Sequence, residues 1–438
     1  MLRKRFFIGL TAFNLLVIVT ASAADRMNDV QRGTASAVLT QVADTIRKNY
    51  YDPKYHGTDF ETLVAEARKR LERADTLTDA MNVIQAMANG LNDSHTFFVP
   101  PQKPFEVEPG WKMGFYGARC FITAVKPGSD AEAKGLKPGD EVFGWEKFHV
   151  TRRDLQKMEV EFLLFAPRSA STLLVARPGN AAREITVQAN VRELRRNLQV
   201  DFMSMWDLVR DSENDEERTR PRWAEFGDLL VVELPDFEMT DNALTQLLGR
   251  IRKHKAVVLD LRGNPGGFEE RLRELTSAIF DHEVKIAEVV ARKPEKPLIA
   301  KPHSLFAGTV VVLIDSRSAS AAELLARTVQ LEKRGVVIGD VSSGSVMRAV
   351  LFTHTAGVDS VWTYGVQVSK ADLLMSDGKS LEKVGVVPDE VVLPTQADLV
   401  AGRDPMLARA IKLAGGEVTP EKAGSLFPFR WPKARLAN

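Results

Sequence analysis

The stretch Val311-Val-Leu-Ile-Asp-Ser-Arg-Ser-Ala-Ser-Ala-Ala-Glu-Leu-Leu-Ala326 decides how the rest of the chain is interpreted. Its first four residues form an aliphatic run typical of a short buried strand, and Leu324 and Leu325 begin a helical spacing. The stretch therefore predicts a strand, a tight turn and a helix, with Ser320 at the junction. Unpaired N–H groups at a helix N-terminus favour negative charge, which suits a serine nucleophile. Alternatively, Ser320 only caps the helix, and Glu323 completes a capping box.

The sequence around this stretch alternates strands and helices, which is typical of an α/β domain with a partly parallel sheet. The run Ala256-Val-Val-Leu-Asp-Leu-Arg-Gly-Asn-Pro-Gly-Gly267 indicates a buried strand that enters a glycine-rich turn. The other predicted strands cover residues 229–234, 283–291 and 308–314, and the predicted helices cover residues 241–253 and 268–280.

Apolar residues three or four positions apart predict helices near the N-terminus, over residues 34–49, 60–74 and 77–87. The polar run Leu91-Asn-Asp-Ser-His95 comes next and places His95 at a helix exit. A histidine at such a turn can also be a purely local hydrogen-bonding residue. The segment therefore predicts a helical cap that ends in a candidate catalytic histidine.

The run from Lys126 to Gly144 contains Gly135-Leu-Lys-Pro-Gly-Asp140 and resembles a PDZ domain over residues 106–192. PDZ domains bind a peptide as an added strand. The resemblance implies that Met113, Gly114, Phe115 and Tyr116 line the peptide groove. Alternatively, this part of the chain is a small sandwich that only spaces its neighbours.

Composition excludes some classes of function. The 438 residues carry a net charge of +1, so no nucleic-acid partner is expected. The N-terminus has a basic start, a short apolar run and the small residues Ala21-Ser-Ala23, which predict a signal peptide cleaved near Ala24 and no stable membrane span after processing. Export to the periplasm or beyond follows if the host is a Gram-negative bacterium. The single cysteine, Cys120, lies in an alternating run and is interpreted as a packed thiol.

Separated motifs together resemble the carboxyl-terminal processing (tail-specific) peptidase family, which includes tricorn-like serine peptidases. They are the motif ending at His95, the PDZ-like run, the glycine-rich turn at 260–267, Ser318-Ala-Ser-Ala-Ala-Glu323 with Gly339-Asp-Val-Ser-Ser-Gly344, and Leu381-Glu-Lys-Val-Gly-Val-Val-Pro-Asp389. The resemblance implies an α/β multidomain fold with an N-terminal helical cap, a PDZ domain and a ClpP/crotonase-like catalytic domain. The implied division is a signal peptide (1–23), the cap (24–105), the PDZ domain (106–192), a linker or exposed hairpin (193–223), the catalytic domain (224–400) and a C-terminal helix and tail (401–438).

The chain departs from the family at the residue that supplies the general base. Members with a Ser-Lys dyad carry their lysine at the position of Ser345, whereas tricorn-like members use an upstream histidine. Similarity to the latter implies a triad of Ser320 as nucleophile, His95 as general base and Glu382 as orienting carboxylate. The implied oxyanion donors are the N–H groups of Ala321 and of Gly266 or Gly267.

The predicted function is an exported serine endopeptidase that needs no metal or organic cofactor. Its expected partners are polypeptide substrates or unstructured protein termini, and a homo-oligomer is left open. Because the dyad lysine is missing, an inactive PDZ-containing adaptor or scaffold is the alternative. A further alternative is a dyad rebuilt from another lysine, Lys370 or Lys379.

Overall fold

The computed structural model describes residues 26–101, 105–193, 220–303, 306–357 and 361–431. The predicted signal peptide and most of the predicted linker lie outside these residues. In chain order, the helices are α1 (Asp29–Asn49), α2 (Phe60–Glu72), α3 (Leu77–Asn89), α4 (Asp130–Ala133), α5 (Leu155–Val160), α6 (Asp241–Ile251), α7 (Glu269–Ile279), α8 (Ala321–Leu331), α9 (Gln396–Ala401), α10 (Pro405–Leu413) and α11 (Pro420–Gly424), with a 3₁₀ turn at Tyr55–Gly57 and a π-helical turn at Glu161–Phe165.

The strands alternate with these helices and form several sheets. In chain order they are β1 (Phe97–Val99), β2 (Phe105–Glu108), β3 (Trp111–Tyr116), β4 (Arg119–Val125), β5 (Glu141–Trp145), β6 (Phe148–His149), β7 (Ala170–Ala176), β8 (Arg183–Gln188), β9 (Asn190–Glu193), β10 (Arg222–Phe226), β11 (Leu229–Glu233), β12 (Ala256–Asp260), β13 (Val284–Ala291), β14 (Leu298–Ala300), β15 (Thr309–Ile314), β16 (Val336–Gly339), β17 (Met347–Ala356), β18 (Trp362–Leu374) and β19 (Glu390–Val391).

A mostly parallel sheet carries the decisive stretch. Its strand order is β10-β11-β12-β15-β16-β19, and the pairings from β11 onward are parallel while β10 pairs antiparallel with β11. Asp260 is paired with Leu313, and Ile314 with Gly339, so these strands end at one edge of the sheet. The loops that follow β12, β15 and β16 therefore start side by side, and this edge holds the candidate site.

The helical cap is joined to the rest of the molecule through a sheet. Strand β1, which follows the cap helices, pairs with β18, and β18 also pairs with β13 and with its hairpin partner β17. The cap core includes Leu39 and Ile84 from helices together with Tyr364 and Val366 from β18. The cap and the hairpin therefore share one hydrophobic core, which fixes the loop between α3 and β1.

The middle module, residues 105–193, has its own hydrophobic core. Its larger sheet has the order β3-β4-β5-β7-β8, with β6 paired to β5, and β2 pairs with β9. The rings of Trp111 and Trp145 pack edge to face inside this core, with their centroids 5.1 Å apart. In this sheet β3 is the edge strand that was predicted to take a peptide.

The structure confirms the predicted α/β multidomain class with helices at the N-terminus. The predicted helices and strands are present with ends that differ by a few residues; α1, for example, begins at Asp29 instead of Thr34. Arg222 and Trp223, the last two residues of the predicted linker or exposed hairpin, belong to β10, which pairs antiparallel with β11. In the described residues, we find no helix with the length and apolar character needed to span a bilayer.

Candidate active site

Ser320 lies at the turn between β15 and α8 with a strained backbone. Its φ is 52° and its ψ is −116°, a combination that is rare for a residue with a side chain. Its N–H donates to the carbonyl of Ser345 at 2.9 Å and to the Glu323 carboxylate at 3.0 Å. Ser320 is thus the N-cap residue of α8, as the simpler interpretation predicts, and it is held in a conformation that capping alone does not require.

Glu323 is fully buried and joins the serine turn to the loop after β16. Besides Ser320, its carboxylate accepts hydrogen bonds from the hydroxyl of Ser342 at 2.5 Å and from the N–H groups of Gly344 and Ser345 at 2.7 and 2.9 Å. Burial raises the pKa of Glu323 to about 7, although these four donors favour the charged form. The carboxyl group therefore holds residues 342–345 against the start of α8.

The glycine-rich turn after β12 approaches Ser320 closely. A Cβ atom on Gly266 would lie 2.6 Å from the Cβ of Ser320 and 3.0 Å from the nitrogen of Ala321, so only glycine fits here. The Gly266 N–H already donates to Asn264 Oδ1 at 2.8 Å, which argues against Gly266 as an oxyanion donor. The N–H of Gly267, an exposed residue, has no acceptor among the described residues. Gly267 and Ala321, whose N–H lies in the first turn of α8, are the better pair of donors.

His95 and Glu382 meet through a residue that the sequence interpretation missed. Glu382 accepts hydrogen bonds from the N–H and the hydroxyl of Ser94 at 2.8 and 2.7 Å, and the same hydroxyl lies 2.7 Å from His95 Nδ1. The Ser94 hydroxyl has one proton and donates it to Glu382. In the contact between Ser94 and His95 the hydroxyl oxygen must therefore accept, so Nδ1 carries a proton. Nε2 is then the basic nitrogen. Glu382, the predicted orienting carboxylate, thus reaches His95 through the hydroxyl of Ser94.

Burial controls the protonation of both groups. Burial lowers the pKa of His95 to about 4, and the nearby Asp93 carboxylate partly opposes this effect. The pKa of Glu382 is raised, mainly by burial and against the hydrogen bonds from Ser94 and Val346. His95 is therefore neutral near pH 7, as a general base must be.

One peptide unit links the two halves of the site. The carbonyl of Ser345 accepts from the Ser320 N–H, and the N–H of the next residue, Val346, donates to Glu382 at 2.9 Å. In the described residues no hydrogen bond joins the Ser320 hydroxyl directly to the His95 ring. Catalytic hydrogen bonds are often long in unliganded enzymes and shorten when substrate binds.

The lysines considered as alternative bases have other surroundings. Lys370 donates from Nζ to Asn49 Oδ1 at 3.1 Å and lies over the ring of Phe352. The backbone N–H of Lys379 donates to Asp377. Ser345, at the position of the family's dyad lysine, is buried, and its hydroxyl lies 2.9 Å from that of Ser343. A lysine-based dyad stays an alternative prediction.

The predicted peptide groove of the middle module is closed by the serine-bearing turn. The carbonyl of Met113 accepts from Arg317 Nη2 and that of Phe115 from the Ser316 hydroxyl, each at 2.9 Å. The two carbonyls lie two residues apart and belong to the β3 edge that a peptide strand would use. Neither Gly114 between them nor the adjoining Tyr116 is exposed. A peptide strand can therefore add to this edge only after this contact opens.

Cys120 lies on the neighbouring strand β4 and is buried. Burial raises the pKa of its thiol to about 12. A thiol that stays protonated near neutral pH is a poor nucleophile. These observations agree with its interpretation as a packed residue.

Two family models and several known proteins match this chain. Residues 228–392 match the family model of Peptidase family S41, and residues 37–89 match that of the Tricorn protease C1 domain. The chain is 22% identical over 409 residues to a carboxyl-terminal-processing protease of Picosynechococcus sp., covering 90% of this chain and 91% of that protein. It is 21% identical to the carboxy-terminal processing protease CtpA of Bacillus subtilis, covering 88% of this chain and 78% of that protein.

Solved structures show a related fold. Mature CPAF superposes with a TM-score of 0.61 at 12% identity, covering 84% of this chain and 94% of that chain. The photosystem II D1 C-terminal processing protease superposes with a TM-score of 0.52 at 18% identity, covering 90% of this chain and all of that one. The predicted overall fold is thereby confirmed at the level of architecture.

Proposed function

Because this chain belongs to peptidase family S41 and is a serine-type peptidase, we propose that it is an endopeptidase in which Ser320 attacks the peptide bond and His95 is the base. The carrying observation is the hydrogen-bonded path from the Ser320 turn through the Ser345–Val346 peptide unit to Glu382, Ser94 and His95. In this arrangement Glu382 orients the imidazole through the Ser94 hydroxyl.

The proposed reaction assigns a task to each group. His95 Nε2 takes the proton of the Ser320 hydroxyl as its oxygen adds to the scissile carbonyl. The N–H groups of Gly267 and Ala321 then stabilise the negative oxygen, aided by the N-terminus of α8. The imidazolium gives its proton to the leaving amine, which leaves an acyl-enzyme on Ser320. Water, deprotonated by His95, hydrolyses that ester and frees the serine.

Digestion of an unfolded polypeptide tests this proposal. The wild type should cleave it, whereas Ser320→Ala should not and His95→Ala should lose most activity, since general-base catalysis contributes about 10²- to 10⁴-fold. Full activity of His95→Ala would favour a lysine base. Absence of cleavage by the wild type, under conditions that release the middle module, would contradict the peptidase proposal and favour a polypeptide-binding adaptor.

The middle module is proposed to be a PDZ domain whose peptide binding competes with its docking. Its sequence resemblance supports the assignment, and the hydrogen bonds from Ser316 and Arg317 to the β3 edge support the competition. Arg317 also forms an ion pair with Glu159 of the module. A bound polypeptide terminus would replace these contacts only three residues before Ser320, which offers a route from binding to catalysis.

Weakening the docking contact tests the competition. Glu159→Gln should increase the affinity for a peptide with a free carboxyl terminus several-fold, measured by isothermal titration calorimetry. Glu141→Gln is the matched control, because Glu141 pairs with Arg119 inside the same module. Equal affinities of both variants and the wild type would contradict a competition between docking and peptide binding.

Export is proposed from the N-terminal sequence alone, with cleavage near Ala24. Expression of the full chain in a Gram-negative host, followed by fractionation and N-terminal sequencing, tests it. A cytoplasmic protein that retains residues 1–23 would contradict the proposal.

A further inference from the structure

Asp93 lies two residues before His95 and fixes the loop that carries it. Its Oδ1 accepts hydrogen bonds from the N–H groups of His95 and Thr96 at 2.8 and 2.6 Å. The same oxygen accepts from the hydroxyl of Ser369 in β18 at 2.9 Å. A single carboxylate oxygen thus folds the turn and fastens it to the hairpin of the neighbouring sheet.

The second oxygen of Asp93 is not used in this way. Oδ2 is buried and makes no well-formed hydrogen bond within the described residues, although the buried hydroxyl of Tyr50, which also lacks one, interacts with this carboxylate. A charge that is buried without a hydrogen bond acts strongly on its neighbours, because the effective dielectric constant inside a protein is low. The carboxylate favours the protonated form of His95 and opposes the lowering of its pKa by burial.

Glu382 is less directly connected to the imidazole. Its oxygens accept from the N–H and hydroxyl of Ser94 and from the N–H of Val346, and only the hydroxyl contacts His95. The imidazolium formed during proton transfer therefore has a hydroxyl group as its hydrogen-bonded neighbour. A second source of negative charge close to the ring is needed to stabilise it.

We propose that Asp93 is a positioning residue for catalysis, which sets the place of His95 through Oδ1 and stabilises its imidazolium form through the negative charge of the carboxylate. This inference rests on the proposed role of His95 as the base. It gives the two carboxylates separate tasks. Glu382 orients the ring through Ser94, and Asp93 supplies the nearby negative charge.

Other titratable groups lie near Asp93 and His95, and a test of the charge of Asp93 must leave them unchanged. Glu382 and Lys383 approach from the loop after β18, and the C-terminal end of α1 contributes Tyr50 and Tyr51. The charge of Asp93 acts on all four groups. Asp372 of β18 acts on Tyr51. A variant that changes only residue 93 isolates its charge from theirs.

Asp93→Asn tests the proposal, because asparagine keeps an acceptor for the turn and removes the charge. The rate of Ser320 phosphonylation by a fluorophosphonate probe, which releases fluoride, is measured by mass spectrometry from pH 3 to 8, together with kcat and KM for a peptide substrate. We expect kcat to fall about tenfold, with KM unchanged. The acid midpoint of phosphonylation should move to lower pH by about half a unit, since the charge that favours protonated His95 is gone.

Ser369→Ala is the matched control, since it removes one hydrogen bond to Oδ1 and leaves the charge. The acid midpoint of this variant should equal that of the wild type, and its kcat should stay within twofold of the wild-type value. If Asp93→Asn does not fold by circular dichroism, Asp93→Ser retains a hydroxyl acceptor for the turn and takes its place.

If the variant without the charge of Asp93 has the same kcat and the same acid midpoint as the wild type, the proposed role of Asp93 is wrong. So would an equal effect in Ser369→Ala, because it would indicate a structural role only. Failure of the proposed function is a different outcome, in which the probe does not phosphonylate wild-type Ser320 at all.

Discussion

Ser320 occupies a backbone conformation that glycine adopts without strain. Non-glycine residues in such regions cost about 1–3 kcal/mol. Both Ser320→Gly and Ser320→Ala lack the hydroxyl. We therefore expect the free energy of unfolding, measured by urea denaturation, to be about 1 kcal/mol larger for Ser320→Gly than for Ser320→Ala. Glycine is also preferred to alanine at an N-cap, so capping and strain favour the same variant. If Ser320→Ala is the more stable variant, the turn is not strained.

Ser94 is expected to matter through its hydroxyl. Ser94→Ala breaks the path from Glu382 to His95, so kcat should fall by about 10- to 100-fold, as for other residues that orient a functional histidine. KM should stay near the wild-type value, because Ser94 is not proposed to touch substrate. Ser94→Thr keeps a hydroxyl and should recover most of the rate in steady-state assays. Equal activity of all three proteins would show that the bridge has no role.

Between helix and loop, Glu323 makes the free energy of unfolding depend on pH. Its folded pKa of about 7 lies above the ordinary value of 4.5, so the folded state binds this proton more tightly. The resulting stability is present below pH 4.5 and is lost as the pH rises through 7. Relative to Glu323→Gln, the wild type should lose up to about 3 kcal/mol over this range. The free energies of unfolding are measured by urea denaturation at pH 4.5, 6 and 8. A difference between the two proteins that stays constant over these pH values would contradict the prediction.

For the whole molecule, the shared core predicts that the cap and the hairpin unfold together. Leu39 of α1 is fully buried in the core that includes Tyr364 and Val366 of β18. Leu39→Ala should destabilise the protein by about 2–5 kcal/mol. Loss of activity and loss of ellipticity should follow the same thermal transition, because His95 leaves the site when the cap opens. Separate cap melting, with the remaining structure intact, would contradict a shared cooperative unit.

Helices and strands were predictable from the sequence where the spacing of apolar residues within one segment determines them. Leu324 and Leu325 mark α8, and the aliphatic run before Asp315 marks β15, because each pattern reports burial within one segment. The site required more distant information. Ser94 and Glu382 are 288 residues apart. The family resemblance implied that Glu382 orients His95, but not that the Ser94 hydroxyl joins them. The closed edge of β3 also escaped prediction, because a strand pattern does not reveal what covers the strand.

The peptide unit between Ser345 and Val346 suggests how one fold can support two kinds of base. Its carbonyl holds the Ser320 backbone and its N–H holds Glu382, and neither contact uses the side chain of residue 345. In dyad members of the family that side chain is the lysine base. An exchange of lysine for serine would thus leave the backbone connections of Ser320 intact, with His95 of the cap as the proposed base. Evolution could change the proton acceptor at this position without rebuilding the framework that holds the serine.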